Sequence, residues 1–182
     1  MVQAGSMGVP YLAVRGLLGS DILSYRDDFL VRENPFNVGE QTVLVQSIRP
    51  DVAVFHALKA DKFGNAITPG RRDDAMMARA ASTVIVTTEE VIEGRLKETD
   101  AISSTFINGL DVAAVAHVPL GAHPCGCGTL YDLDEIHFAK YIQAARTDQT
   151  FGNYLKEYIY DLDSHEEYLA MVNSSANSLQ LA

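Results

Sequence analysis

Cysteine is nearly absent. The only two, Cys125 and Cys127, stand one residue apart, so they cannot staple distant parts of the chain, and a disulfide between them would be strained. A cytoplasmic protein is the expectation that follows. Long apolar runs are missing too: no window holds the ~18 or more uninterrupted apolar residues of a membrane-spanning helix. No basic residue precedes the short apolar run in MVQAGSMGVPYLAV, so no signal peptide is expected. Positive charge is scarce, with 14 Lys and Arg against 24 Asp and Glu and a formal net charge of −10. Such a surface repels phosphate backbones, which disfavours nucleic acid as a partner. Arg71-Arg72 forms no basic patch, because Asp73-Asp74 follows at once. A phosphorylated ligand stays open, since one or two arginines or helix N-terminal amides suffice for it. There is no internal repeat.

What the sequence does have is apolar material, 47% of 182 residues. That fits one domain, able to bury roughly 70% of its unfolded surface. The organising stretch is RPDVAVFHALKADKFGNAITPG at 49–70. Pro50 blocks helix entry, and the apolar run 52–58 reads as a strand buried on both faces of a parallel sheet. It feeds the polar loop 60–65, whose Gly64-Asn65 pair suits positive backbone φ. Ligands of open α/β sheets bind beyond the carboxyl ends of strands, so this loop is a site candidate.

Around that stretch, 9–14 reads as a short strand with Pro10 near its start. Ser20 is placed to cap a short helix through Tyr25, and Gly16 and Gly19 permit close backbone approach. Residues 29–33 and 42–48 suggest a hairpin appended to the main sheet, its register open. Residues 73–81 favour helix, with acids at the N-terminal end, and 83–87 a second buried strand, completing a βαβ unit. A charged, irregular segment covers 88–104, the turn Asn108-Gly109 follows, and 112–118 is a third buried strand. Three helices close the chain: 134–146 with Asp132 and Glu135 as a capping box, 150–160, and one opening at Ser164-His165-Glu166-Glu167. Small polar residues after Asn173 suggest a frayed tail.

Four segments together resemble the A-type (alpha) subunits of family I coenzyme A transferases, the glutaconate CoA-transferase group. They are GVPYLAVRGLLGSDIL at 8–23, RPDVAVFHALKADKFGN at 49–65, VIVTTEEVI at 84–92 and VPLGAHPCGCGTLYDLDEIHFAKYI at 118–142. The resemblance implies an α/β fold with a mostly parallel sheet, flanking helices and C-terminal helices. It divides the chain into an A-type domain at 1–148, helices packed on it at 149–173 and a flexible tail at 174–182. It also implies a hetero-oligomer with a B-type partner, acting on a carboxylic acid and an acyl-CoA, with coenzyme A thioester as substrate and no resident cofactor. In that chemistry a glutamate attacks the thioester, and an acyl–glutamyl anhydride gives way to an enzyme–CoA thioester. Backbone N–H groups hold the oxyanion.

Two departures accompany the resemblance. The family's A-type chains open with roughly a hundred residues not found here, including a glycine-rich segment, so a shortened chain or split-gene product is expected. The family's glutamate lies in the B half within Ser-Glu-Asn-Gly, and Glu33-Asn34-Pro35 lacks both the serine and the glycine. No catalytic residue is therefore expected in this chain. The substrate or CoA contacts suggested are Arg15 with Gly16, because arginine pairs a carboxylate bidentately, and Asp61, Gly64 and Asn65, which match the family's loop. For the last three, a tight turn with Asp61 accepting backbone N–H bonds is the competing reading. His56 reads as a satisfied core histidine, Asp21 as a helix cap, and Glu89 and Glu90 as an exposed acidic loop. His117, His123, Cys125 and Cys127 do not make a zinc pattern, since paired cysteine ligands favour two or more intervening residues; no metal is expected. A CoA-dependent ring-opening hydrolase of the same family and a non-catalytic interaction module are the alternatives.

Overall fold

Pro50 and the apolar residues after it start a strand, β4 (Val52–Ala57), in the computed structural model of the chain, which describes residues 1–70 and 73–175. The Arg71-Arg72 pair lies outside those residues, as do residues 176–182 of the tail expected at 174–182, whose first two residues end the last helix. β4 runs parallel to β7 (Thr83–Thr88), which runs parallel to β10 (Ala114–His117), in the order β10-β7-β4. The parallel sheet is therefore as expected, with β7 and not β4 at its centre. Burial on both faces is not found. Ala53 and Ala57 point inward while Val52 and Val54 are 53% and 63% exposed, and most of β10 is exposed too. An apolar run shows that a strand is apolar on both faces, but not whether anything covers the second one.

The core beneath the sheet is built mainly from small residues: Ala53, Ala57, Ala60, Ala66 and Ala78, with Val84, Val86 and Ile107. Helix α3 (Asp74–Ala80) presents Ala78 to it, with Met77 packed at its margin.

The hairpin of β2 (Phe29–Glu33) and β3 (Gln41–Gln46) does not join the main sheet. β1 (Tyr11–Val14) pairs with β3, giving a separate antiparallel sheet in the order β1-β3-β2. Val43 and Val45 are its buried residues. The short helices α1 (Val2–Ser6) and α2 (Ile22–Tyr25) flank β1 in sequence. Asp21, not Ser20, takes the cap position of α2, without a side-chain hydrogen bond; the Ser20 hydroxyl is buried with no partner among the described residues.

A third sheet was not expected. β5 (Lys59–Asp61) and β6 (Ala66–Thr68) form a tight hairpin, extended by β8 (Val91–Ile92) and β9 (Thr105–Ile107) in the order β8-β5-β6-β9. The polar loop after β4 is the tip of that hairpin.

Three helices follow: α4 (Glu135–Ala144), α5 (Asp148–Leu155) and α6 (His165–Ser175), with a π-helical turn at Lys156–Tyr160. Asp134, not Asp132, caps α4, its carboxylate accepting the His137 N–H at 2.8 Å. Asp134 is the residue whose backbone is still extended when the helix begins. Ser164 accepts the Glu167 N–H at 3.2 Å, as S-x-x-E suggests, while the Glu167 carboxylate reaches back to the Asp163 N–H at 2.9 Å. Among the described residues no helix is long and apolar enough to cross a membrane.

Candidate functional site

Parallel pairing sets His56 on β4 opposite Thr87 on β7, near the carboxyl ends of both strands. The His56 Nδ1 lies 2.8 Å from the Thr87 hydroxyl, and its Nε2 lies 2.6 Å from Glu89 Oε1. The tautomer with its proton on Nε2 satisfies both contacts, donating to the carboxylate and accepting the threonine hydroxyl at Nδ1.

Glu89 follows β7 directly, and its side chain is only 9% exposed. The expected exposed acidic loop is thus corrected at Glu89. The Tyr131 hydroxyl donates to Oε1 at 2.5 Å, and the Leu120 N–H donates to Oε2 at 2.8 Å. The Tyr131 oxygen also accepts the Ala122 N–H at 3.1 Å. Burial, and then the adjacent Glu89, raise the Tyr131 pKa, which keeps the phenol protonated as a donor. His117 Nε2 meets the Glu89 carbonyl at 3.0 Å, and the fully buried Cys127 places its sulfur within 4.8 Å of His56 and Glu89 donor atoms. Gly121 shuts the site from above: a Cβ there would stand 2.7 Å from His56 Cε1.

The hairpin tip is built otherwise. Asp61 Oδ1 accepts the N–H groups of Phe63 and Asn65 at 2.8 and 3.0 Å. Its Oδ2 accepts the Asn65 amide at 2.8 Å and the Leu96 N–H at 2.7 Å. Burial opposes the charge on Asp61, but the Asn65 amide and these N–H groups outweigh it and hold the carboxyl below its ordinary range. Gly64 has φ +86°, a conformation in which a Cβ is strained. Asn65 Oδ1 accepts the Gly109 N–H at 3.0 Å. A pocket of about 420 Å³ lies between residues 61–64 and 112–115.

Arg15 and Gly16 stand elsewhere, immediately after β1. The Arg15 side chain is 80% exposed and pairs with Glu40, and Gly16 borders open space. The structure therefore divides the suggested contacts between two sheets: Arg15 and Gly16 beside the first, Asp61, Gly64 and Asn65 in the third.

A second polar cluster joins the loop after β10 to the C-terminal helices. His123 Nε2 lies 3.1 Å from Asp134 Oδ2, and its Nδ1 lies 2.6 Å from the Tyr168 hydroxyl. His137 Nε2 meets the Tyr154 hydroxyl at 2.7 Å, and the two imidazoles sit edge to face with centroids 5.2 Å apart. Burial, then the neighbouring His123, lower the His137 pKa. Burial pushes Tyr168 up to about 12. Burial also opposes the Asp134 charge, yet the His137 N–H and His123 hold that carboxyl below its ordinary range. His123, His137, Tyr154 and Tyr168 line a pocket of about 380 Å³ with Tyr158, Leu162 and Ser164.

The four residues grouped by closeness in sequence therefore part company. His123 joins Asp134 and His137, Cys127 joins His56 and Glu89, His117 turns to a backbone carbonyl, and Cys125 is exposed. The Glu89 network, with Tyr131 and the Leu120 N–H, was missed. The signal for it was the position of Glu89 at a strand's carboxyl end.

The coenzyme A transferase family matches residues 1–117. The chain is 34% identical over 185 residues to the A-type chain of glutaconate CoA-transferase from Acidaminococcus fermentans, covering 93% of this chain and 58% of that one. It is 32% identical over 173 residues to the A-type chain of 3-oxoadipate CoA-transferase from Pseudomonas knackmussii, covering 93% and 59%. The crystal structure of the Acidaminococcus fermentans glutaconate coenzyme A-transferase superimposes with a TM-score of 0.85 at 32% identity, over 96% of this chain and 60% of that one. The chain thus spans less than two thirds of the length of these relatives.

Proposed function

The chain belongs to the coenzyme A transferase family and has its fold, and from that we propose that it works as the A-type subunit of an enzyme moving coenzyme A between carboxylic acids. One observation carries the reading: along 93% of its length the chain follows the A-type chains of two transferases with different acids in their names. A B-type partner supplies the glutamate that attacks the thioester carbonyl and displaces the CoA thiolate, giving an acyl–glutamyl anhydride. The thiolate then attacks the glutamyl carbonyl, releasing the first acid and leaving a glutamyl–CoA thioester from which the second acid takes the coenzyme. Three carboxylates among the described residues agree with that division of labour. Each oxygen of Asp61, Glu89 and Asp134 already has a hydrogen-bond partner, so none stands ready as a nucleophile.

In this role Arg15, exposed and paired with Glu40, swings to a carboxylate or phosphate of the substrate, with Gly16 giving room for it. Gly64 lines the pocket beside residues 112–115, while Asp61 and Asn65 hold the backbone around it. The thioester is substrate, no cofactor resides in the chain, and the assembly is a cytoplasmic hetero-oligomer. The exposed Val52 and Val54 face of the parallel sheet suits a covered position in such an assembly.

The test is to co-purify the chain with a B-type partner, then add an acyl-CoA together with hydroxylamine. Transfer predicts inactivation that requires acyl-CoA, with a modified glutamate on the partner. Thioester or ring cleavage that persists without any adduct replaces transfer by the hydrolase reading. Failure to co-purify, with no turnover, leaves the interaction module.

A further inference from the structure

We propose that His123, Asp134 and His137 form a binding site for a divalent transition-metal ion, Zn²⁺ by its donor set. One ligand atom from each of the three lies within 4.8 Å of the others. Two imidazoles and a carboxylate are borderline and hard donors of the kind zinc takes in three-ligand sites, with a fourth position left for water or substrate. Imidazole also selects against Mg²⁺ and Ca²⁺, which take oxygen.

The surroundings are those of a metal site rather than of a filled core. Asp134 and His137 are three residues apart across the first turn of α4, so the helix fixes their separation. His123 comes from the preceding loop, its side chain only 5% exposed. The Tyr168 hydroxyl at 2.6 Å holds His123 Nδ1, which turns Nε2 toward the carboxylate. Such an outer partner on the far nitrogen is what orients a ligating histidine. The Tyr154 hydroxyl does the same for His137 at Nε2, and its Nδ1 has no hydrogen-bond partner among the described residues. His123 and His137 line the 380 Å³ pocket, which gives an ion a route in and its fourth ligand a place.

The sister group His56, Glu89 and Cys127 is equally tight but closed. Gly121 packs on the His56 ring, and the Leu120 N–H and Tyr131 hydroxyl occupy Glu89.

The experiment titrates the chelator-stripped chain with ZnCl₂ against a chromophoric chelator and follows thermal unfolding in parallel. The expected result is one ion per chain, with a rise in Tm on adding Zn²⁺, because binding to the folded state alone stabilises it. Asp134→Asn keeps a capping side chain on α4 and removes the charged ligand. It should weaken binding at least tenfold and abolish the Tm shift, as should His137→Ala. Tyr168→Phe should weaken binding roughly tenfold through loss of the outer partner, and Cys127→Ser should leave it unchanged. If His137→Ala does not fold, Asp134→Asn and Tyr168→Phe decide the matter. Binding absent from the wild-type chain, binding indifferent to Asp134→Asn, or binding lost with Cys127→Ser would each overturn the proposal.

Discussion

Asp61 and Glu89 are two buried carboxylates in neighbouring sheets, and they are satisfied in opposite ways. Asp61 takes hydrogen bonds from residues two and four positions on, plus the Leu96 N–H. Its donors are three backbone N–H groups and one amide, none of which titrates. Glu89 takes two of its three hydrogen bonds from side chains, His56 and Tyr131, and the third from the Leu120 N–H. A carboxylate fixed by amides is a rivet: its charge is held at neutral pH and its removal strands buried donors. One fixed by a histidine and a phenol joins distant parts of the chain through side chains. The first holds a hairpin, the second ties the loop after β10 to the ends of β4 and β7.

The largest effect should come from Asp61→Ala, which leaves the N–H groups of Phe63, Asn65 and Leu96 without their acceptor, the last two of them buried. A loss of about 3 kcal/mol or more is expected from urea unfolding; a loss under about 1 kcal/mol would erase the contrast. The same carboxyl gives an acid dependence. Its folded pKa lies below the ordinary value, so the unfolded state takes up the proton first as pH falls. Its stabilisation is therefore complete above about pH 4 and disappears below it. Urea midpoints measured downward from neutral pH should show a smaller loss in Asp61→Asn than in the wild-type chain, the part that remains coming from other lowered carboxyls such as Asp134.

Next comes Gly121→Ala, whose Cβ would lie 2.7 Å from both His56 Cε1 and the Val118 carbonyl oxygen. Roughly 1–3 kcal/mol of destabilisation is expected, and a neutral result would mean the Glu89 network is open rather than sealed. Tyr131→Phe removes one donor to Glu89 and the acceptor of the Ala122 N–H, for about 1 kcal/mol. Hydrogen exchange should then rise in residues 118–131 while the hairpin at 59–68 stays protected. Arg15→Ala should be the smallest for stability, with an unchanged urea midpoint, because its ion pair is exposed. With the B-type partner present it should raise KM for acyl-CoA about tenfold at unchanged kcat if the arginine contacts substrate.

The same contrast explains what could be read in advance. The tight turn at Asp61 was legible because its carboxylate, its glycine and its amide all fall within residues 61–65. The Glu89 network draws on residues 56, 89, 120 and 131, which only the register of β4 against β7 brings together. His117, His123, Cys125 and Cys127, close in sequence and not read as a zinc pattern, go to different neighbours, because a loop that turns on itself hands adjacent residues to different parts of the fold. β5, β6, β8 and β9 are two or three residues long, too short for any period to show.

The sequence by itself determined the strands at 52–57 and 83–88, the helices from 135 onward and the family. Those rest on runs and motifs whose parts are neighbours along the chain. Tertiary structure alone decided that β1 leaves the main sheet for β3, that β7 is the central strand, and that Glu89 is buried. Each of these depends on pairing between segments some thirty residues apart, and no local preference encodes which partner a strand edge or a carboxylate will meet.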